Sequence, residues 1–192
     1  MNCECMKKLD SFLLAAVIIV TALMAAPSAF GQDAVQWKLE DGGNGHWYEL
    51  YAVGNDGIIW NEASNLAQSR GAHLVTITSE NESDWVWDNL ASNPAGWRTD
   101  INTAGPHIGL WREESDQPWQ WVTGEPFSFN EWGGCLDDSG GVEDQAQYGC
   151  VSISNHWNDL EGFSNPNAGG AIFEYSADCN GDGIVDYGQI LS

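Results

Sequence analysis

Apolar and polar positions along the chain alternate in two different periods, and the switch between them marks out two helices set among short strands. Trp60, Ala63, Ala67 and Arg70 fall on one helical face with Leu66 beside them, and Gly71 follows as a C-terminal stop, which predicts helix one. Ser79 with Glu82 three residues later makes a capping box that opens helix two, from Glu80 to about Ala91. Before, between and after these helices the period is two. His46 to Tyr51 reads as a strand after the turn-rich Asp41-Gly42-Gly43-Asn44, and His73 to Ile77 reads as another, with Val75 and Ile77 on one face. Beyond Pro94 the pairs Ile108 and Leu110, Trp119 and Trp121, Val151 and Ile153, and the group Ile172, Phe173 and Tyr175 predict further strands. The stretch from Gly124 to Gly149 is rich in Gly, Asp, Glu and Ser and far longer than an ordinary connection, so it is where function is expected.

Charge narrows the partners. Against 28 Asp and Glu stand 6 Lys and Arg, a formal charge of -22, which disfavours nucleic-acid phosphates and anionic lipid heads and suits cations. At 43% hydrophobic residues with 11 Trp, the 192-residue chain has the means to bury a core, so the acids belong on a folded surface. Lys7 and Lys8 precede an uncharged run from Ser11 to Phe30, and Ala29-x-Gly31 supplies the small residues a signal peptidase reads. Residues 1–31 are therefore expected to be a signal peptide cleaved before Gln32, giving a secreted or cell-surface protein with no membrane segment; a retained anchor is the alternative. Residues 32–44 then form a linker, 45–175 the main domain, and 176–192 a separate tail segment.

Candidate chemistry is concentrated in oxygen ligands. Asp137, Asp138, Glu143, Asp144, Asn158 and Asp159 offer the hard oxygens that calcium takes in sets of about six to eight, provided the long loop folds against the Trp157 segment. In the tail, Asp178-x-Asn180-x-Asp182-Gly183-Ile184-x-Asp186 fits nine positions of an EF-hand loop, with Gly183 at the turn and Ile184 offering its carbonyl, whereas Gln189 replaces the closing carboxylate. That tail resembles half of a dockerin-type or thrombospondin type 3 repeat, which implies a docking partner. Catalysis is not expected: His46, His73, His107 and His156 are scattered, Gly162-Phe163-Ser164-Asn165-Pro166 lacks the closing glycine of a nucleophile elbow, and Lys38 is the only lysine after the leader, so no P-loop exists.

Taken in order, Gly71 to Ser79, His107-Ile108-Gly109-Leu110-Trp111, Trp119-x-Trp121, Gly124-x-Pro126, Asn130-x-Trp132, Glu143-Asp144 and Trp157-Asn158-Asp159 resemble the C-type lectin domain from about Gly45 to Tyr175. The resemblance implies an α+β fold of two helices and mostly antiparallel short strands with a long calcium-binding loop, its first and last strands paired. It also implies calcium-dependent binding of carbohydrate or, failing that, binding of an extracellular protein or a part in an extracellular assembly. The family's ligands from the loop and the last strands map to Glu143, Asn158 and Asp159. Its Glu-Pro-Asn tripeptide falls on Cys135, Leu136 and Asp137, where Asp137 keeps a hard oxygen and Cys135 offers sulfur, which calcium disfavours. His107 stands where the family has a core Trp.

The cysteines also depart from the family. Cys3 and Cys5 leave with the leader, and Cys135, Cys150 and Cys179 remain, without the family's partners near Gly162 and Phe173. Cys135 and Cys150 bracket the acidic loop, so a disulfide between them is expected to stabilise it by about 3 kcal/mol; two reduced thiols are the alternative.

Overall fold

The computed structural model describes residues 30–31, 33–100, 104–114, 116–133, 143–149, 152–161, 167–179 and 181–187. Its elements are β1 (Phe30–Gly31), β2 (Val35–Gln36), β3 (Trp47–Ala52), α1 (Trp60–Ser69), β4 (His73–Leu74), α2 (Glu80–Val86), β5 (Pro106–Trp111), β6 (Gln120–Trp121), β7 (Gln145–Tyr148), β8 (Trp157–Leu160) and β9 (Gly170–Tyr175). The sheet runs β1-β3-β9-β5-β7-β8, with β2 on β3, β4 on β9 and β6 on β5. Among the described residues no helix is long and apolar enough to cross a membrane; the apolar run expected as a leader lies almost wholly outside them.

The expected pairing of the first and last long strands is present. β3 and β9 are antiparallel from Trp47↔Tyr175 to Ala52↔Gly170, and β9 then lies parallel to β5 through Pro106↔Gly170 and His107↔Ala171. Period two decides which side each residue serves. Tyr48, Leu50 and Ala52 pack with Ile172, Ile108 and Leu110 on the face covered by α2, while Phe173, Tyr175 and Leu74 pack on the α1 face with Ala63 and Ala67. Gly109 is where β4 and β5 come closest: a Cβ there would sit 2.6 Å from the Leu74 carbonyl oxygen, so only glycine fits.

Helix boundaries follow their caps. The Ser79 hydroxyl accepts from the Glu82 N–H at 3.3 Å, as the capping box requires. After Val86 the helix widens into a π turn, Trp87–Ala91, and so reaches the expected end. The residues expected as a linker contribute β2, and Trp37 is buried in the core and stacked on Trp85.

Two strands differ from expectation. Val75, Thr76 and Ile77 are buried but β4 stops at Leu74, because the Thr76 N–H donates to the Glu174 carboxylate at 2.9 Å in place of a neighbouring strand. The strand expected around Val151 and Ile153 is not found at Ile153, which lies in a bend, 44% exposed, while Val151 is outside the described residues. The strand that pairs with β5 and β8 is β7, where Gln145 and Gln147 are buried beside Ala146 and Tyr148; buried glutamines hid its pattern.

His107 occupies its strand as a buried neutral ring. It is 2% exposed and its Nε2 donates to the Ile58 carbonyl at 3.0 Å; burial, only partly offset by backbone hydrogen bonds, lowers its pKa from 6.5 to about 4. The unfolded chain therefore takes a proton near pH 6.5 that the folded chain refuses until about pH 4. Stability contributed by the neutral ring is complete above pH 6.5 and falls through that window at about 1.4 kcal/mol per pH unit. His107→Gln, which keeps a donor, is expected to flatten the acid limb of stability between pH 6.5 and 4, as followed by chemical denaturation at several pH values.

Candidate calcium and ligand site

Glu143 and Asp144 lead into β7, and Asn158 and Asp159 lie on β8, the strand that β7 pairs with. Ala146 faces Asp159, Gln147 faces Asn158, and the Asp144 N–H donates to the Leu160 carbonyl at 3.0 Å. Along β8, Trp157 and Asp159 point inward, the carboxylate fully buried at 1% exposure, while Asn158 is half-buried. Asn158 Nδ2 donates to the Asp159 carbonyl at 2.5 Å, which leaves Oδ1 as its acceptor for a cation. Glu143 is half-buried.

A residue that the sequence did not single out stands among them. Arg112, the residue after β5, donates through Nε and Nη2 to the Glu143 carbonyl at 3.0 and 2.6 Å, and its Nη2 is 3.8 Å from Asp159 Oδ2. Its guanidinium carbon lies 4.5 Å from the Trp119 ring centroid. The signal that could have found it is scarcity: in a chain of 6 cationic residues, one immediately following a core strand is worth placing.

The aromatic floor of the loop is core. Trp157 and Trp132 are 0% and 8% exposed, and Trp157 meets Trp121, Phe129 and Trp132 edge-on at 5.8 to 5.9 Å. Trp119 packs on Trp132 at 5.0 Å. The indoles at 132 and 157 are thus the floor that holds β8 and its acids in place, not sugar platforms.

In kind, the donors fit calcium: Glu143, Asn158 and Asp159 present carboxylate and amide oxygens. Among the described residues no group of three or more His, Cys, Asp or Glu side chains is gathered tightly enough to hold a metal by itself. The ions's remaining ligands would have to come from the loop; Asp137 and Asp138 lie outside the described residues, as do Cys135 and Cys150.

The tail loop folds on its own carboxylates. Asp178 accepts from the Gly181 and Gly183 N–H groups at 2.7 and 2.8 Å, Asp182 from Ile184 N–H at 2.9 Å, and Asp186 from Cys179 N–H at 3.1 Å. Gly183, at φ +83°, makes the sharp turn. Tyr187 stacks on Tyr175 at 4.1 Å and Val185 is buried, so this end of the tail is docked on β9; Asn180 lies outside the described residues. Cys179 is exposed.

Three further buried acids organise the opposite end of the sheet. Glu174 accepts from His46 Nδ1 at 2.6 Å, Glu82 from Tyr48 Oη at 2.8 Å and Thr78 N–H at 2.9 Å, and Glu49 from Arg70 at 2.7 Å and Tyr175 Oη at 2.7 Å. Burial raises the Glu82 pKa against the pull of its hydrogen bonds.

Comparison with known proteins gives one consistent answer. The family model described as "Lectin C-type domain" matches residues 56–165. C-type lectin domain family 4 member F of Mus musculus is 28% identical over 132 residues, 66% of this chain and 21% of that protein. Asialoglycoprotein receptor 2 of Mus musculus is 29% identical over 133 residues, 65% of this chain and 37% of that protein. The chain thus spans well under half the length of these relatives. Among solved structures, the cow C-type carbohydrate-recognition domain of CD23, in the presence of GlcNAc2Man3 oligosaccharide, superposes with a TM-score of 0.56 at 21% identity, covering 80% of this chain and 98% of that one. A calcium-independent type II antifreeze protein does so with a TM-score of 0.54 at 19% identity, covering 70% and 88%. At these identities the two structures speak to the fold alone.

Proposed function

The chain belongs to the C-type lectin domain family, and from that premise we propose that it is a secreted, calcium-dependent carbohydrate-binding module. The observation that carries this reading is the β7–β8 ladder, which carries Asn158 and Asp159 on β8 opposite Gln147 and Ala146, with Glu143 and Asp144 just before β7 and Asp144 bonded to Leu160. Glu143, Asn158 and Asp159, with Asp137 and Asp144 from the loop and its exit, would hold the ion. Bound there, calcium supplies coordination positions to two adjacent sugar hydroxyls. The protein's own part is to fix the oxygens: Trp157 anchors β8 from below, and the ladder sets their spacing. Similarity to asialoglycoprotein receptor 2 supports this direction.

A second reading, binding of an extracellular protein without sugar, is favoured by Arg112 beside Asp159 and by Cys135-Leu136-Asp137 in place of the family's tripeptide. In either case Asp178, Asn180, Asp182, Asp186 and the Ile184 carbonyl would form a second calcium site in the tail, available to a docking partner.

Calorimetric titration separates the two sites. Wild type is expected to take up two calcium ions, Asp159→Ala to lose the loop ion together with any glycan binding, and Asp178→Ala to lose only the tail ion. Undiminished uptake by Asp159→Ala would remove the loop site. Secretion is tested by mass spectrometry, which is expected to find Gln32 at the mature N-terminus.

A further inference from the structure

Among the described residues, the buried cation Arg112 connects the acidic segment before β7 to the one on β8. Arg112 is 6% exposed; its N–H donates to the Asp144 carbonyl at 2.9 Å, its guanidinium donates twice to the Glu143 carbonyl, and Nη2 faces the buried Asp159 carboxylate at 3.8 Å. Trp119 covers one face of the guanidinium at 4.5 Å and excludes water from it. A guanidinium is taken out of water only where fixed partners offset its desolvation, and here those partners are the residues a calcium ion would use.

We propose that Arg112 is the resident counter-ion of the loop site. It neutralises Asp159 and ties the Glu143 backbone to β5, so the site keeps its shape and charge balance before any metal arrives. Calcium must then compete with the guanidinium for Asp159, which makes metal binding a regulated exchange of one cation for another. The competition rests on the calcium reading above; the counter-ion role does not.

The test begins in chelator, with thermal melting of wild type, R112Q, D159N and the double variant. Each single change removes one charge of the buried ion pair and is expected to lower the midpoint by about 5 to 10 °C, whereas the double change removes both and recovers at least half of that loss. Losses that simply add would reduce Arg112 to packing and overturn the proposal. Should R112Q fail to fold, the double variant is still expected to fold, and its failure would overturn the proposal equally. Calcium titration then gives a readout of opposite sign to ordinary damage: R112Q is expected to bind calcium about tenfold more tightly than wild type, and R112K, which keeps the charge, within about twofold of it. Equal or weaker binding by R112Q refutes the competition. No calcium binding by any variant refutes the calcium reading, and the melting cycle alone then decides the counter-ion role.

Discussion

Trp157→Ala is expected to lower stability by about 3 to 5 kcal/mol, enough to shift the melting midpoint by about 10 °C. The indole is fully buried and touches Trp121, Phe129 and Trp132, so truncation opens a cavity whose walls are rigid rings that cannot collapse into it. The Trp157 backbone N–H, which the variant keeps, ties β8 to the chain before the loop through the Glu131 carbonyl at 2.8 Å. Because Asn158 and Asp159 follow directly, loss of ligand binding should accompany loss of stability. Urea denaturation checks the first, and a Trp157→Phe variant, keeping most of the floor, should recover much of both.

Glu174→Ala is the second large effect, at about 2 to 4 kcal/mol. The carboxylate is buried on β9 and accepts from the Thr76 N–H and His46 Nδ1, so its removal leaves a buried amide without an acceptor. The loss is expected to depend on pH. Burial alone would lower the His46 pKa, but the hydrogen bond and charge of Glu174, with Glu82 and Glu125, raise it above 6.5. Protonated His46 therefore stabilises the fold fully below pH 6.5, and that contribution fades as pH rises through the folded value. Glu174→Ala abolishes it, so the variant's deficit should be larger at pH 6 than at pH 8. Equal deficits at the two values would show that the His46–Glu174 pair contributes nothing through its charge.

Much of this architecture is legible in the sequence because its signals are local. The capping box at Ser79, the helical face of Trp60, Ala63 and Ala67, and the period-two runs of β3 and β9 each state their structure within a dozen residues. What was misplaced depends on partners far along the chain. β7 looks polar because Gln145 and Gln147 are buried by β5 and β8, which lie 34 or more and 10 or more residues away in sequence, and β4 ends early because Glu174 captures the Thr76 amide. From residue type alone the acids of the candidate site read as an expected calcium ligand set. Arg112 did not stand out, since an arginine after a strand carries no local signature; only the fold sets it 3.8 Å from Asp159.

The face built on β7 and β8 is proposed to recognise sugar only with calcium. A glycan array probed with the mature wild-type protein, once in calcium and once in chelator, tests this most directly. Retention on a defined class of glycans in calcium and none in chelator is the expected result; glycan binding that survives chelation, or no binding in calcium on any glycan, would contradict this function.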